Sequence, residues 1–525
     1  MLKDRKRIAL SSGLGAEVER ILFGTGLFVS ILTALWACLY VPMNMDEALN
    51  YHQLACSTHP FSSWHIFTFG CNHPYDLRDP LGFVFSRPYP YTGVTESVLY
   101  APFFYLFHSP YAQYLLGVGF LVGFAFLAAR ETAKPKLTFA MVLAFFPLVF
   151  DFIHDEGPVR LPFVLYFLFA LATRRLLAAE RPATFFYAVL LALMAFVGVE
   201  QKIFFLIQLP AIALFVAALL WRGDGSAFFN SIARVKVELG VAVVLAAAMV
   251  SWLLFSVNTE FGTYLSWIPK MDVPHFDSNE MADNLSILSL SWVAFTHRYF
   301  VLWMKVVFFL GLASLLWIGF CAGVSVKYKK FLAPIKGRLF LLISCSLVFF
   351  ALLMLSKTAW TGHHLIFVLF PLLFAFCDVA ALLPPKPLLA LGLGFMFLNA
   401  GSLFAATQFQ TVPNISRERE AIMAYFDREP LASQSIVNYS MWGNYFIHSL
   451  YAPTNLLVTE VEPLTRKQGL KLLSVAEQTH REIYNVCFSE KCRPQKLEEA
   501  TEGLFRFEDV MPGLRMWHLY KVSVK

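Results

Sequence analysis

The constraint that most limits what this chain can fold into is a series of apolar runs, each close to the length of a membrane crossing. A hydrocarbon core about 30 Å thick takes about 20 helical residues to cross. Eleven runs bounded by charge or proline come near that length: residues 21–41, 111–129, 137–153, 159–177, 184–199, 203–221, 237–257, 300–320, 338–356, 363–383 and 387–406. Only Glu200, Gln201 and Lys202 separate the fifth from the sixth. The charge pattern favours a tight helical hairpin there over one kinked helix. Composition agrees, with 15% charged residues and 54 Phe, where a soluble domain averages about a quarter charged.

Basic residues orient these runs. With Lys3, Arg5, Lys6 and Arg7 inside, the inner segments also hold Arg130, Lys134, Lys136, Arg174, Arg175, Arg234, Lys236, Lys336, Arg338 and Lys386, among others. The opposite loops before the C-terminal segment are poor in Lys and Arg, as the positive-inside rule requires, and an odd number of spans leaves the C-terminus outside. The net charge of +6 is scattered between apolar runs and not gathered on one solvated face, so no nucleic-acid partner is expected. The first run follows a charged leader without a small-residue cleavage site and reads as an anchor span. Away from the outermost four residues of each run only Lys305 and Asp378 carry charge. Each lies near a span end, where it is expected to snorkel to the interface and not to line an ion path.

Residues 410–525 change character. Helical patterns at 416–428, 442–451 and 464–478 alternate with strand patterns at 435–439, 455–459 and 482–488, which predicts a small α/β domain outside the membrane. The expected domains are 1–409, with a long first outer loop at 42–97, and 410–525. Cys56 with Cys71, and Cys487 with Cys492, form two close pairs on the outer side. An oxidising exterior allows two disulfides; four separate thiols are the alternative.

Chemistry-bearing residues gather just beyond the outer span ends. Asp46 and Glu47 open a helical pattern in PMNMDEALNYHQLA, residues 42–55. Acidic residues there cap a helix, and a carboxylate at the water–lipid boundary can also serve as a general base. In FDFIHDEGPVR, residues 150–160, Asp151, His154, Asp155, Glu156 and Arg160 form a second acidic cluster. It reads either as a solvated loop or as a divalent-cation site, Asp155 and Glu156 being the ligand candidates, although its spacing matches no metal signature. Lys202, Arg298, Lys357, His363 and His364 stand where a lipid phosphate would lie, either as span anchors or as phosphate ligands. Residues 86–114 include an apolar stretch too short to span, expected as an interfacial helix, and Arg87 and Tyr89 precede it.

This arrangement resembles the GT-C superfamily of polyprenyl-phosphate-sugar-dependent glycosyltransferases, above all its protein O-mannosyltransferase and lipid A aminoarabinose transferase branch. The resemblance rests on Asp46-Glu47 followed by Tyr51 and Ala55, on interfacial helices before the second span, on the outer turn GVEQK, and on SKTAWTGHHLIFVLFP leading into a late span. The KPPL-like segment of aminoarabinose transferases is missing, with SRPYPYTG in its region, and so is the WWD-type motif of oligosaccharyltransferases.

The resemblance implies an α-helical polytopic membrane protein of GT-C type with about 11 spans plus the small C-terminal extracytoplasmic α/β domain. It implies an inverting transfer of a sugar from a polyprenyl-phosphate carrier to a glycan, lipid or protein acceptor. Asp46 would be the base, Glu47 its orienting partner, the five cations the phosphate ligands, and Tyr51, Arg87 and Tyr89 donor or acceptor contacts. No cofactor is required, and a divalent cation is an option. The implied location is a bacterial inner membrane, N-terminus cytoplasmic and C-terminal domain periplasmic. The rivals are a polysaccharide polymerase or ligase using diphosphate-linked glycans, and a lipid-linked sugar flippase or transporter, which predicts broken helices and midplane polar residues.

Overall fold

The computed structural model describes residues 2–40, 77–78, 84–85, 95–107, 112–154, 160–180, 183–202, 204–221, 225–253, 335–354, 362–408, 411–430, 432–439, 456–459, 464–488, 492–515 and 517–525. The chain divides into two compact units, Met1–Leu39 with Tyr114–Phe409, and Tyr40–Gln113 with Gln410–Lys525. After α1 (Leu2–Tyr40) come the short antiparallel strands β1 (Leu77–Arg78) and β2 (Val84–Phe85) and helix α2 (Thr95–Phe107), all three in the second unit. The first unit continues through α3 (Ala112–Arg130), α4 (Pro135–Ala144), α5 (Phe146–His154), α6 (Arg160–Ala178), α7 (Ala183–Gln201) and α8 (Phe204–Leu220). It ends with α9 (Gly225–Arg234), α10 (Lys236–Trp252), α11 (Lys336–Met354), α12 (Gly362–Leu382) and α13 (Pro385–Gln408).

Among the described residues four helices are long and apolar enough to cross a membrane: Leu14–Cys38 within α1, α3, α6 and α7. The pair α4 and α5 adds a fifth if taken as one bent span. The chain is a multi-pass membrane protein. The run expected at 300–320, with Lys305, lies outside the described residues. Helices α7 and α8 are separate elements, the first ending at Gln201 and the second starting at Phe204.

The run at 137–153 departs from the sequence expectation. It is two short helices that meet at 66°, and every residue of α5 is buried. A bend inside a bilayer exposes backbone donors that no water can satisfy. Here Asn399 of α13 supplies the partner: its Oδ1 accepts the Phe146 N–H at 3.0 Å, and its Nδ2 donates to the Phe395 carbonyl at 2.8 Å. Pro147, in the first turn of α5, has no N–H to satisfy.

Lipid tails are as apolar as Phe, so helix association in a membrane rests on close packing and internal hydrogen bonds. Phe163 stacks on Phe367 at 4.5 Å, and Phe124, Phe215 and Phe374 surround Phe370 at 4.9 to 5.3 Å. These contacts join α3, α6, α8 and α12. The Tyr166 hydroxyl donates to Gln208 Oε1 at 2.7 Å, tying α6 to α8. At the bundle end that the charge pattern assigns to the inside, Arg174 forks onto Glu131, Lys134 pairs with Glu19 at 2.9 Å, and Arg338 pairs with Asp378 at 2.7 Å. Asp378 is 7% exposed; it is held in an ion pair and does not snorkel.

In the second unit α14 (Thr411–Arg428) precedes a five-stranded sheet of order β4-β3-β5-β7-β6. Its strands are β3 (Ile436–Tyr439), β4 (Leu456–Thr459), β5 (Ile483–Phe488), β6 (Phe505–Asp509) and β7 (Trp517–Val524), with α15 (Arg466–Thr479) and α16 (Pro494–Ala500) between them. β4, β3 and β5 run parallel, while β7 and β6 are antiparallel. Their core holds Ile436, Leu472, Ile483, Phe505, Phe507 and Val522. The Glu418 carboxylate of α14 accepts the backbone N–H groups of Arg515 and Trp517 at 3.1 and 3.0 Å, docking that helix on the start of β7. Cys487 and Cys492 are joined as a disulfide, and the Tyr520 hydroxyl donates to the Cys492 carbonyl at 2.7 Å. The helix pattern at 442–451 and the pair Cys56 and Cys71 lie outside the described residues.

Replacing Asn399 by Leu leaves the buried Phe146 N–H without its acceptor, which costs about 1–3 kcal/mol. Denaturant unfolding of the detergent-solubilised protein measures this, and a midpoint equal to that of the unaltered chain would refute the role given to Asn399.

Candidate functional site

The described polar side chains at the opposite end of the bundle form two groups. The first is built where α1, α3, α5 and α6 meet. A helix leaves its last four carbonyls without intrahelical donors, and in this apolar setting something other than water must reach them. His154, the last residue of α5, is 1% exposed and places Nε2 2.9 Å from the Ala37 carbonyl near the end of α1. A carbonyl only accepts, so Nε2 carries the proton. The imidazole lies between Tyr114 of α3, edge-on at 5.3 Å, and Phe150 at 4.8 Å.

Arg160, the first residue of α6, is fully buried, and its Nη2 donates to the Ile153 carbonyl at 2.6 Å. Its charge stands at the C-terminus of α5, where the helix dipole places about half an elementary negative charge. Asp151, 1% exposed, is three residues before His154 and so on the same face of α5. The close approach of α3 to α5 has a simple cause. Gly117 faces the Phe152 carbonyl, and a Cβ there would collide with that backbone.

The second group sits at the turn between α7 and α8. Glu200 and Gln201 are buried and Lys202 is half-buried. The Lys202 N–H donates to the Gly198 carbonyl at 3.0 Å, ending α7, and the Phe205 N–H donates to the Lys202 carbonyl at 2.9 Å as α8 begins. A cavity of about 790 Å³ extends along α8 and α10 and is also walled by α6, α7 and α9. Val199, Leu206 and Val250 line it at one end, and Leu220, Ile232 and Leu239 at the other; among the described residues that line it, Thr173 and Ser251 are polar.

Of the residues read from sequence, His154 and Arg160 are buried and meet at the end of α5, and Lys202 is half-buried at the turn between α7 and α8; residues 155–159 of FDFIHDEGPVR, read either as a solvated loop or as a cation site, lie outside the described residues. Asp46, Glu47, Tyr51, Arg87, Tyr89, Asp155, Glu156, Arg298 and Lys357 lie outside the described residues, as do the side chains of His363 and His364 at the start of α12. Among the described residues no group of three or more His, Cys, Asp or Glu side chains is arranged to hold a metal ion. Sequence reasoning gave no role to Asp151 as a buried carboxylate or to Gln208. The signal available was a polar residue interrupting an apolar helical pattern.

No protein-family model and no curated protein matches the chain. Solved structures do. ArnT from Cupriavidus metallidurans, determined bound to undecaprenyl phosphate, aligns over 95% of this chain and 97% of its own at 10% identity, with a TM-score of 0.52. This chain has the fold of ArnT. The archaeal oligosaccharyltransferase AglB from Archaeoglobus fulgidus, in complex with an inhibitory peptide and a dolichol-phosphate, aligns over 95% of this chain and 74% of its own at 12% identity, with a TM-score of 0.43. Both neighbours are GT-C glycosyltransferases.

Arg160→Met would empty the donor position at the Ile153 carbonyl and lower stability by about 1–3 kcal/mol, whereas Arg160→Lys, which keeps a cation beside the same helix end, would lose less. Thermal unfolding of the two variants decides this, and equal losses would overturn the capping role.

Proposed function

We propose that this chain transfers a sugar from a polyprenyl-phosphate carrier to an acceptor at the outer face of the membrane, most simply a bacterial inner membrane with the C-terminal unit in the periplasm. The observation that carries this reading is the apolar cavity, two of whose lining residues, Val199 and Leu206, flank Lys202 in the sequence. A polyprenyl phosphate has a long apolar chain and a compact dianionic head. The cavity fits the first and the Lys202 ammonium the second, and the ArnT fold supports the same ligand class.

In this reading Asp46 takes the proton from the acceptor hydroxyl. That oxygen attacks the anomeric carbon, the bond to the carrier phosphate breaks on the opposite face, and the configuration inverts. Glu47 orients Asp46. Lys202, Arg298, Lys357, His363 and His364 hold the phosphate and stabilise the negative charge that accumulates as it leaves, while Tyr51, Arg87 and Tyr89 contact donor or acceptor. Asp155 and Glu156 would be the ligands of a divalent cation.

The bend between α4 and α5 raises the transporter reading, because broken helices line many transport sites. Here the bend is packed with buried side chains and its free N–H is bound by Asn399. A transporter would move the lipid-linked sugar without cleaving it, so product analysis separates the two.

Purified protein supplied with a panel of polyprenyl-phosphate sugars should form product, and Asp46→Asn should lower the rate by about 10²–10⁴-fold, the usual range for a general base, with donor binding retained. Ala213→Trp, which fills the cavity, should raise the KM for a long-chain donor more than for a short-chain analogue. Equal rates for Asp46→Asn and the unaltered chain would eliminate Asp46 as base. Loss of activity with a chelator would assign a metal to the Asp155–Glu156 segment.

A further inference from the structure

We infer that Ile232 is a specificity-determining residue for the lipid carrier: with α9 it closes one end of the apolar cavity and so limits the length of carrier chain that the protein grips to about five isoprene units. The inference deepens the proposed function and rests on it for the identity of the occupant.

Two helices give the cavity its length. α8 lines it at every turn from Leu206 to Leu220, and α10 does the same from Leu239 to Val250. At the helical rise, Leu206 to Leu220 covers about 21 Å, about two thirds of the thickness of a hydrocarbon core. α9 stands between α8 and α10 in the chain, so a space held between those two helices ends at the connection that joins them. Ile232 is the residue of α9 in its wall. The connection is fixed in place. Arg234 Nη2 donates to the Leu177 carbonyl near the end of α6, and Val235 is buried where α9 passes into α10. The Trp221 ring, just beyond α8, lies against Gly337 of α11, where a Cβ would collide with it.

Volume sets the count. If each carbon takes the roughly 30 Å³ that a water takes in its liquid, a cavity of about 790 Å³ holds about 26 carbons, or about five isoprene units. A longer carrier leaves its remaining units in the bilayer, where they meet lipid tails as apolar as themselves and add nothing to affinity.

Retention of polyprenyl monophosphates of two to eleven isoprene units on the immobilised full-length protein tests this. Retention should rise with each unit to about five and then stay level. Ile232→Trp should weaken chains of five or more units about tenfold and leave the three-unit chain within about twofold, whereas Ala213→Trp, halfway along the α8 stripe, should weaken the three-unit chain as well. A rise that continues to eleven units would overturn the inference, as would equal loss at every length in Ile232→Trp, the mark of a general fold defect. Displacement of the carrier by a phospholipid with acyl chains of matched length would assign the cavity to bulk lipid and overturn it too. Levelling near five units in a protein that transfers no sugar would sink the proposed function and leave Ile232 its role in binding, while transfer without any levelling would do the reverse.

Discussion

Every backbone donor and acceptor buried in a hydrocarbon core must find a partner within the protein, and the first unit is organised by that demand at the places where its helices stop. A continuous helix satisfies itself. The bend between α4 and α5 does not, and Asn399 reaches across from α13 to the Phe146 N–H. The ends of α5 and α1 do not either, and Arg160 and His154 reach their carbonyls. Polar side chains that look out of place in an apolar sequence are thus the ones that let the helices end inside the bundle. The close approach at Gly117 brings two of these elements within reach of one another.

The two ends of the bundle use charge differently. At the end that the charge pattern assigns to the inside the partners are carboxylates: Glu131 with Arg174, Glu19 with Lys134, Asp378 with Arg338. The first two pairs are partly exposed, and such pairs contribute about 0–1 kcal/mol each. Arg338 and Asp378 are nearly buried, and there the desolvation penalty offsets most of the attraction. What that pair supplies is register: it joins the start of α11 to the end of α12, and Arg338 also donates to the Glu131 carbonyl at 2.9 Å. At the other end Arg160 and His154 lie against backbone carbonyls near helix ends.

The spans were legible because a bilayer imposes one length on them, and the observed α6, α7 and α13 begin and end within a few residues of the runs read from the sequence. The bend at Phe145 was not legible. The sequence is continuously apolar from Phe139 to Phe150, Pro147 alone marks the bend, and the compensating Asn399 is 253 residues away. β6 and β7 escaped notice although Phe505 and Phe507 alternate with exposed neighbours in the manner of a half-buried strand. The roles of His154 and Arg160 were hidden for a different reason. Composition marks a cluster of titratable residues, but the atoms these two bind are backbone carbonyls, one of them 117 positions distant, and a carbonyl has no sequence signature.

On the proposed reading, the apolar cavity constrains where selectivity for a lipid-linked donor can arise. In water, burying an apolar chain is itself a large driving force. In a bilayer a polyprenyl chain entering the cavity exchanges one apolar surrounding for another, and the gain from apolar burial nearly vanishes. What remains is packing against the cavity wall and whatever the head group meets at its mouth. A wall of Val, Leu, Ile and Ala with two hydroxyls reads chain shape and cannot read a sugar. On the proposed reading, the affinity for phosphate falls to Lys202 and the cations grouped with it, and recognition of the sugar falls to the first outer loop and its acidic pair. The membrane-embedded part would then hold the carrier alike for any sugar, and replacing the outer loop would change the donor without rebuilding the bundle.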